Sequence, residues 1–367
     1  MAAPHGRPRP ARGAFAARRE KAGEKMPSSS PMSPLSRRGL LAAGGAVGLG
    51  ALLTACGSDD SGSGSGSDPK GKGWSFTDGR GEKVSLDAVP ERIVAYTATA
   101  AALWDFGVRD QVVGVFGPTK QKNGEPDVLA GDMDISKVEI IGNAFGEFDL
   151  EKYAKLRPQL LISNMYLDDA LFYVPDESKD KIYKLAPHVA MKAAGVPMLE
   201  VIQQYAKLAE SLGADVQAKA VTDAKARFEK AAERLRKAAK SGIRVMAAAG
   251  APDLFYVSDP DASTDLQYFK QLGVDFVKPE KLSKQGFFEE LSWENADKYE
   301  ADLIILDNRT QSLQPKALAS KPTWKDLPAV KADQVAPWAA EPRFSYAGAA
   351  PLLENLAEAI EKAKKVR

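Results

Sequence analysis

The segment from residue 198 to residue 240 constrains the fold more than any other part of the chain. It reads as two helices in series, the second long and densely charged. In the first, Met198 to Leu212, the residues Leu199, Ile202, Tyr205, Ala209 and Leu212 recur every three or four positions, and Gly213 fits a C-terminal cap. Asp215 is placed to cap the second, which runs to Lys240 and is closed by Gly242. Its apolar stripe, Val216, Ala220, Ala224, Phe228, Ala231, Leu235 and Ala238, is narrow and Ala-rich, with Lys, Arg and Glu elsewhere. At 1.5 Å per residue such a helix is roughly 39 Å long. A helix of that length and polarity suits a strut laid across two domains.

The same alternation stands on both sides of the strut. "RIVAY", "VVGVF" and "QLLIS" read as strands before it, and "IRVMAAA", "LFYVS" and "DLIILD" after it. Helical segments lie between, such as Thr99 to Phe106, stopped by Gly107. This pattern predicts α/β architecture with mostly parallel sheets. The halves also echo each other. "FDLEKYAKLRPQLLISN" (148–164) aligns without gaps with "LSWENADKYEADLIILD" (291–307), pairing Glu151 with Glu294, Lys155 with Lys298, Leu160 with Leu303 and Ile162 with Ile305. Each copy reads as a helix feeding a buried strand, and the copies fall on opposite sides of the strut. Two related lobes are expected: 74–213, then the connecting helix 214–241, then 242–367.

The front of the chain has another character. In "SRRGLLAAGGAVGLGALLTAC", Arg37 and Arg38 lead into an apolar run, Gly39 to Ala55, that ends at Cys56, the only cysteine. Spanning a bilayer takes about 20 predominantly apolar residues. This Gly- and Ala-rich run is shorter and reads as the hydrophobic region of an export signal, with the arginine pair fitting the twin-arginine route. "LTAC" resembles the lipobox of bacterial lipoproteins, which implies cleavage before Cys56 and lipid on its thiol. Residues 1–31 show no periodicity, and Met26 and Met32 are alternative starts, so residues 1–55 are expected to be removed. From Cys56 the Gly/Ser-rich stretch to Gly73 is a flexible tether, reaching roughly 20–25 Å on average.

Charge then narrows the partners. Of 50 Lys and Arg, nine precede Cys56, and of 49 Asp and Glu, two do; the remainder holds 41 basic and 47 acidic residues, a net charge of −6. An acidic body of this kind argues against nucleic acid, whose phosphates call for basic patches.

Taken together, lipobox, tether, two α/β halves and one connecting helix resemble the class III substrate-binding lipoproteins of ABC importers for ferric siderophores and cobalamin. "FTDGRGEKVSLDAVPERIVAYTATAAALWDFGV" (76–108) resembles the family's opening, and "FDLEKYAKLRPQLLIS" and "WKDLPAVKADQVAPW" (324–338) are equally typical. The resemblance covers about residues 74–364. It implies two Rossmann-like lobes with a ligand cleft between them and no enzymatic activity. It also implies a monomer tethered by lipid to the outer face of the membrane, handing its ligand to a permease dimer with ATPase subunits. No cofactor is implied; a ferric siderophore would be cargo.

In open α/β sheets ligands bind beyond the carboxyl ends of the strands. That places Tyr96, Phe116, Asn143, Phe145, Asn164 and Tyr166 on the first lobe and Tyr256, Phe287, Phe288, Arg309, Trp338 and Arg343 on the second as candidates. The resemblance implies that Trp338 and the Phe287–Phe288 pair line the cleft. Arg309 and Arg343 can donate to the polarised oxygens of an iron chelate. Some hydroxamate binders carry an arginine where this chain has Phe145, so any such arginine must come from the second lobe. A tris-catecholate chelate is strongly anionic and wants several basic residues. Here Arg309 and Arg343 are offset by Glu147, Asp307 and Glu341, which favours a near-neutral ferric hydroxamate. For permease docking the resemblance implies Glu294 on the second lobe and Asp168 or Asp169 on a helix of the first, with Glu151 as the alternative.

Rival readings are thinner. Zinc-importer proteins use several histidines, and beyond residue 56 there is only His188. A Ser-His hydrolase would have to use that histidine, without a G-x-S-x-G motif nearby. Cobalamin or haem is the rival ligand, and a lipid-tethered enzyme the rival class.

Overall fold

The computed structural model describes residues 73–367 apart from Asp169 and Thr310. The export segment, Cys56 and all but the last residue of the tether lie outside the described residues.

The described chain begins with an antiparallel hairpin, β1 (Trp74–Thr77) and β2 (Lys83–Leu86). The first lobe follows as β3 (Ile93–Tyr96), α1 (Thr97–Asp105), β4 (Val112–Phe116), β5 (Glu139–Gly142), α2 (Leu150–Lys155), β6 (Leu160–Met165), α3 (Lys179–Leu185) and β7 (His188–Lys192). Its strands form one parallel sheet in the order β5-β4-β3-β6-β7. β3 and β6, reading IVAY and LLISNM, are buried at every residue, as strands of a sheet covered on both faces should be. Asp78, at the end of β1, pins the hairpin to this sheet. It accepts hydrogen bonds from Arg80 Nε (2.9 Å) and Nη2 (2.6 Å) and from the Ala190 N–H of β7 (3.0 Å).

Two helices then cross to the second lobe, α4 (Met198–Ser211) and α5 (Lys219–Ala239). α5 has 21 residues, shorter than the sequence suggests. Asp215 does not cap it: its Oδ1 accepts from Gln217 N at 2.9 Å, which closes a turn and delays the helix to Lys219. In consequence Val221 is buried while Ala220 is exposed. Nor is α5 a bare strut, because the C-terminal helix, Tyr346–Lys362, lies along its apolar stripe. α1 likewise begins at Thr97, two residues before the expected Thr99.

The second lobe comprises β8 (Arg244–Gly250), β9 (Leu254–Ser258), α6 (Thr264–Gln271), β10 (Asp275–Phe276), β11 (Phe288–Ser292) and β12 (Leu303–Asp307). Three short proline-led helices follow, α7 (Pro315–Leu318), α8 (Pro322–Asp326) and α9 (Pro328–Lys331), then β13 (Val335–Trp338) and α10 (Tyr346–Lys362). The sheet order is β11-β9-β8-β12-β13, with β10 beside the start of β8. β10, β12 and β13 run parallel to β8, but β8–β9 and β9–β11 pair antiparallel. Only Ala251, Pro252 and Asp253 separate β8 from β9, and a parallel crossover needs a dozen or more residues.

Both lobes share one core. Ile93 and Leu160 of the first sheet, Tyr205 of α4, Phe228 and Leu235 of α5, Leu353 of α10 and Val245 and Leu303 of the second sheet belong to one buried cluster. Phe228 meets the Tyr346 ring at 5.6 Å, and Arg227–Glu354 and Arg234–Glu361 form two-point ion pairs between α5 and α10.

The internal echo has a topological counterpart in its strand half. β6 lies beside β3, the first strand of its sheet, and β12 lies beside β8 in the same way. The helical half differs: α2 in the first copy, a single 3₁₀ turn at Trp293–Asn295 in the second. There Lys298 and Tyr299 turn back to Glu289 of β11, at 2.7 and 2.5 Å, and hold the segment in a tight loop.

Candidate functional site: the cleft between the lobes

Strand order locates the site. β3 is flanked by β4, which follows it in sequence, and by β6, which lies across a crossover. The sheet switches direction there, leaving a crevice beyond Tyr96 and Met165. β12 and β13 of the other lobe end at Asp307 and Trp338. Between the two sets lie an inner cavity of about 300 Å³ and an outer groove of about 830 Å³, which share Phe172, Arg309 and Glu341.

The first-lobe wall is aromatic. Tyr96 stacks on Tyr173 (5.2 Å between ring centroids) and meets Phe172 edge-on (5.3 Å); Phe172 packs against Tyr166 (4.8 Å), and Phe145 against Tyr173 (5.3 Å). Tyr173 takes a left-handed backbone, φ +63°, which is rare for a bulky residue and turns its ring inward beside Phe172. Gly117 has φ +95°, and a Cβ there would stand 2.6 Å from the Tyr96 ring, so a glycine is needed behind that ring. Phe145 is 76% exposed at the groove mouth.

The second-lobe wall carries charge held in a closed network. Arg309 Nε and Nη2 donate to Asp307 (3.0 and 2.8 Å), and Arg309 Nη1 donates to Glu341 Oε1. Glu341 Oε2 accepts from Tyr96 of the other lobe at 2.7 Å, so this one carboxylate bridges the cleft. Burial pulls the Arg309 guanidinium down, but its bonds to Asp307 and the charge of Glu341 more than offset that and hold it above its ordinary value. Burial, then the Glu341 charge, pushes the Tyr96 phenol well up and that of Tyr173 to about 12. Both phenols therefore act as neutral groups at physiological pH. Trp338 is buried, and its indole N–H donates to Asp265 Oδ2 at 2.6 Å.

The residues singled out from the sequence divide into three groups. Tyr166, Phe287, Phe288, Arg309 and Trp338 line the inner cavity, and Asn143, Phe145 and Arg309 line the outer groove. The Asn143 amide is itself engaged: its Oδ1 accepts from Thr119 N and Lys120 N (3.0 and 2.9 Å), and its Nδ2 donates to Lys120 O (2.7 Å). Tyr96 and Asn164 stand one layer back. Tyr96 reaches the cleft through its hydroxyl, while Asn164 accepts from Tyr205 (2.5 Å) and donates to Tyr166 (3.3 Å). Phe116, Tyr256 and Arg343 line neither cavity. The fully buried Phe116 packs on Tyr96 and Phe148, because the last residue of β4 turns its side chain into the core. Tyr256 faces Phe288 across the β9–β11 ladder, 4.8 Å away. Arg343 pairs with Asp105 of α1 (3.1 Å) and Asp132 (3.4 Å), tying the loop before α10 to the first lobe. It is therefore a strap between the lobes.

Of the acidic positions, Glu151 and Glu294 are both exposed at the starts of the segments leading to β6 and β12, outside both cavities. Asp168 is exposed in a tight turn rather than on a helix, because Leu167 and Ala170 close a bridge around it. Asp169 lies outside the described residues. Sequence reasoning passed over Phe172, Tyr173 and Asp265. The adjacent aromatics of "LFY" in an otherwise polar loop were the signal for the first two.

A family described as periplasmic binding protein matches residues 93–342. Among solved structures, that of DesE, a ferric-siderophore receptor protein from Streptomyces coelicolor, is 55% identical, covers 80% of this chain and 100% of that one, and superposes with a TM-score of 0.77. The petrobactin-binding protein YclQ from Bacillus subtilis (18% identity, 79% and 99% coverage, TM-score 0.60) shares the fold. So does the siderophore periplasmic binding protein from the fuscachelin gene cluster of Thermobifida fusca (22%, 75% and 97%, 0.53). No curated protein matches the chain.

Proposed function

From the premise that the chain belongs to the periplasmic binding protein family, a family of binding proteins rather than enzymes, we propose that it captures a ferric siderophore in the cleft between its lobes. The role of DesE as a ferric-siderophore receptor supports the class of cargo. The charge network supports a near-neutral, hydroxamate-type chelate. Arg309, the one cation of the inner cavity's described lining, is already matched by Asp307 and Glu341, so a strongly anionic chelate would meet little uncompensated positive charge. Aromatic area and a few hydrogen bonds then hold the ligand. In this reading Cys56 carries the lipid that keeps the protein on the outer face of the membrane. Glu294 and an acidic residue of the first lobe, Asp168, Asp169 or Glu151, meet the permease dimer of an ABC importer.

Trp338 in the cavity wall provides the readout. The purified protein is titrated with a ferric trihydroxamate, a ferric tris-catecholate, cobalamin and haem while tryptophan fluorescence is followed. Saturable quenching by the trihydroxamate at the lowest concentration is expected. Tightest binding of the catecholate would overturn the hydroxamate assignment. Binding of cobalamin or haem in place of both iron chelates would overturn siderophore capture.

A further inference from the structure

The inner cavity has a polar corner that the charge network does not use. Asp265, in the first turn of α6, is 1% exposed. Its Oδ2 accepts from the Trp338 indole, while its Oδ1 is buried with no hydrogen-bond partner among the described residues. A buried carboxylate oxygen left unpaired is costly, so its retention beside a cavity calls for an explanation. Thr264 and Ser258 line the same corner, 3% and 7% exposed, and their hydroxyls make no hydrogen bond among the described residues. Ser263, at the N-cap of α6, makes no capping bond, and the Asp265 and Leu266 N–H groups of the first turn are directed at the Asp265 carboxyl itself.

We infer that this corner, Ser258, Thr264 and Asp265 beside Trp338, binds a secondary amide in the organic arm of the ligand. The amide carbonyl is received by the Ser258 and Thr264 hydroxyls, and the amide N–H by Asp265. A secondary amide offers one acceptor and one donor on adjacent atoms, and the corner offers donors and an acceptor side by side. A bare iron–oxygen surface offers acceptors alone and would leave Asp265 Oδ1 unpaired. Burial pushes the Asp265 carboxyl up to about 6, against the Trp338 indole and neighbouring backbone N–H groups, so at neutral pH it is still an acceptor. The inference rests on the siderophore reading and adds which part of the chelate the inner cavity recognises.

The test uses two probes with the same iron shell. One is a linear ferric trihydroxamate whose arms contain secondary amides; the other is ferric tris(N-methylacetohydroxamate), which has none, in excess free ligand. Asp265→Asn keeps an oxygen for Trp338 but presents NH₂ to the ligand. Thr264→Val removes a hydroxyl at constant shape and serves if the first variant fails to fold. Wild-type protein is expected to bind the amide-bearing probe at least tenfold more tightly. Asp265→Asn should lose at least tenfold for that probe, Thr264→Val about fivefold, and both less than twofold for the other. Equal losses for both probes would mean that the corner only supports Trp338; unchanged binding of the amide-bearing probe would mean that it touches no ligand. Either result overturns the inference and leaves the siderophore reading standing. A wild-type protein that binds neither probe overturns this inference together with the hydroxamate assignment.

Discussion

Arg309→Met isolates the energetic core of the cleft. The substitution keeps most of the side-chain length and removes the charge, stranding Asp307 and Glu341, whose side chains are 2% and 7% exposed. Removing one partner of a buried ion pair typically costs about 3–5 kcal/mol, because a buried charge is left uncompensated. The Arg309 side chain is 27% exposed, so water can replace part of what it supplies, and the lower end applies. A loss of about 3 kcal/mol corresponds to a fall in Tm of about 5 °C for a folded body of roughly 300 residues. Urea unfolding at pH 7, followed by circular dichroism, reads the loss as a lower midpoint at unchanged slope. A companion variant, Arg309→Met with Asp307→Asn and Glu341→Gln, removes the stranded charges and should recover at least half of it. A single-variant loss below about 1 kcal/mol, or no recovery in the triple variant, would refute the account of Arg309 as the counter-charge for both carboxylates.

Three further outcomes are expected. Cys56→Ala should release the protein from the membrane fraction; continued membrane association of a chain still cut between Ala55 and residue 56 would remove the lipid anchor from the proposal. Glu294→Ala should leave chelate affinity unchanged while cellular iron uptake falls, since Glu294 is exposed outside both cavities; normal uptake would exclude it from docking. The protein should lose stability as pH falls below about 6.5. His188 Nε2 accepts a hydrogen bond from Arg80 (3.0 Å), and burial, then the Arg80 charge, holds the His188 pKa below its ordinary 6.5. The folded state therefore takes up fewer protons than the unfolded state below that pH. His188→Gln should flatten the urea midpoint between pH 7 and 5, and an unflattened profile would show that other groups govern this range.

What the sequence revealed of the fold follows from how strongly each element is over-determined. Strands buried on both faces show as unbroken apolar runs, and β3, β4 and β6 stood out for that reason. The start of α5 was hidden because Asp215 had two partners available, the first turn of a helix and Gln217 N, and local geometry chose the latter. The antiparallel β9 was hidden because a short, mostly apolar strand looks alike in either direction; only the three-residue connection from β8 carries the answer.

In the cleft, strand ends identified positions but not side-chain directions. Tyr166 and Trp338 lie at or just past the ends of β6 and β13 and line the cavity; Phe116, equally at a strand end, faces the core because alternation along β4 decides its side. Arg343 was attractive as a cation near the cleft, yet Asp105, 238 positions earlier in the chain, claims it, and no local pattern encodes such a pairing. Charge bookkeeping, by contrast, carried over well. Asp307 and Glu341 were visible as offsets to the arginines, and both prove to be bonded to Arg309. A sum of charges survives ignorance of rotamers, whereas a list of contacts does not. That is why the pairing of a cleft arginine with carboxylates was legible before the cleft was, while the polar corner at Asp265, which depends on one carboxylate oxygen having no partner among the described residues, required the packed structure.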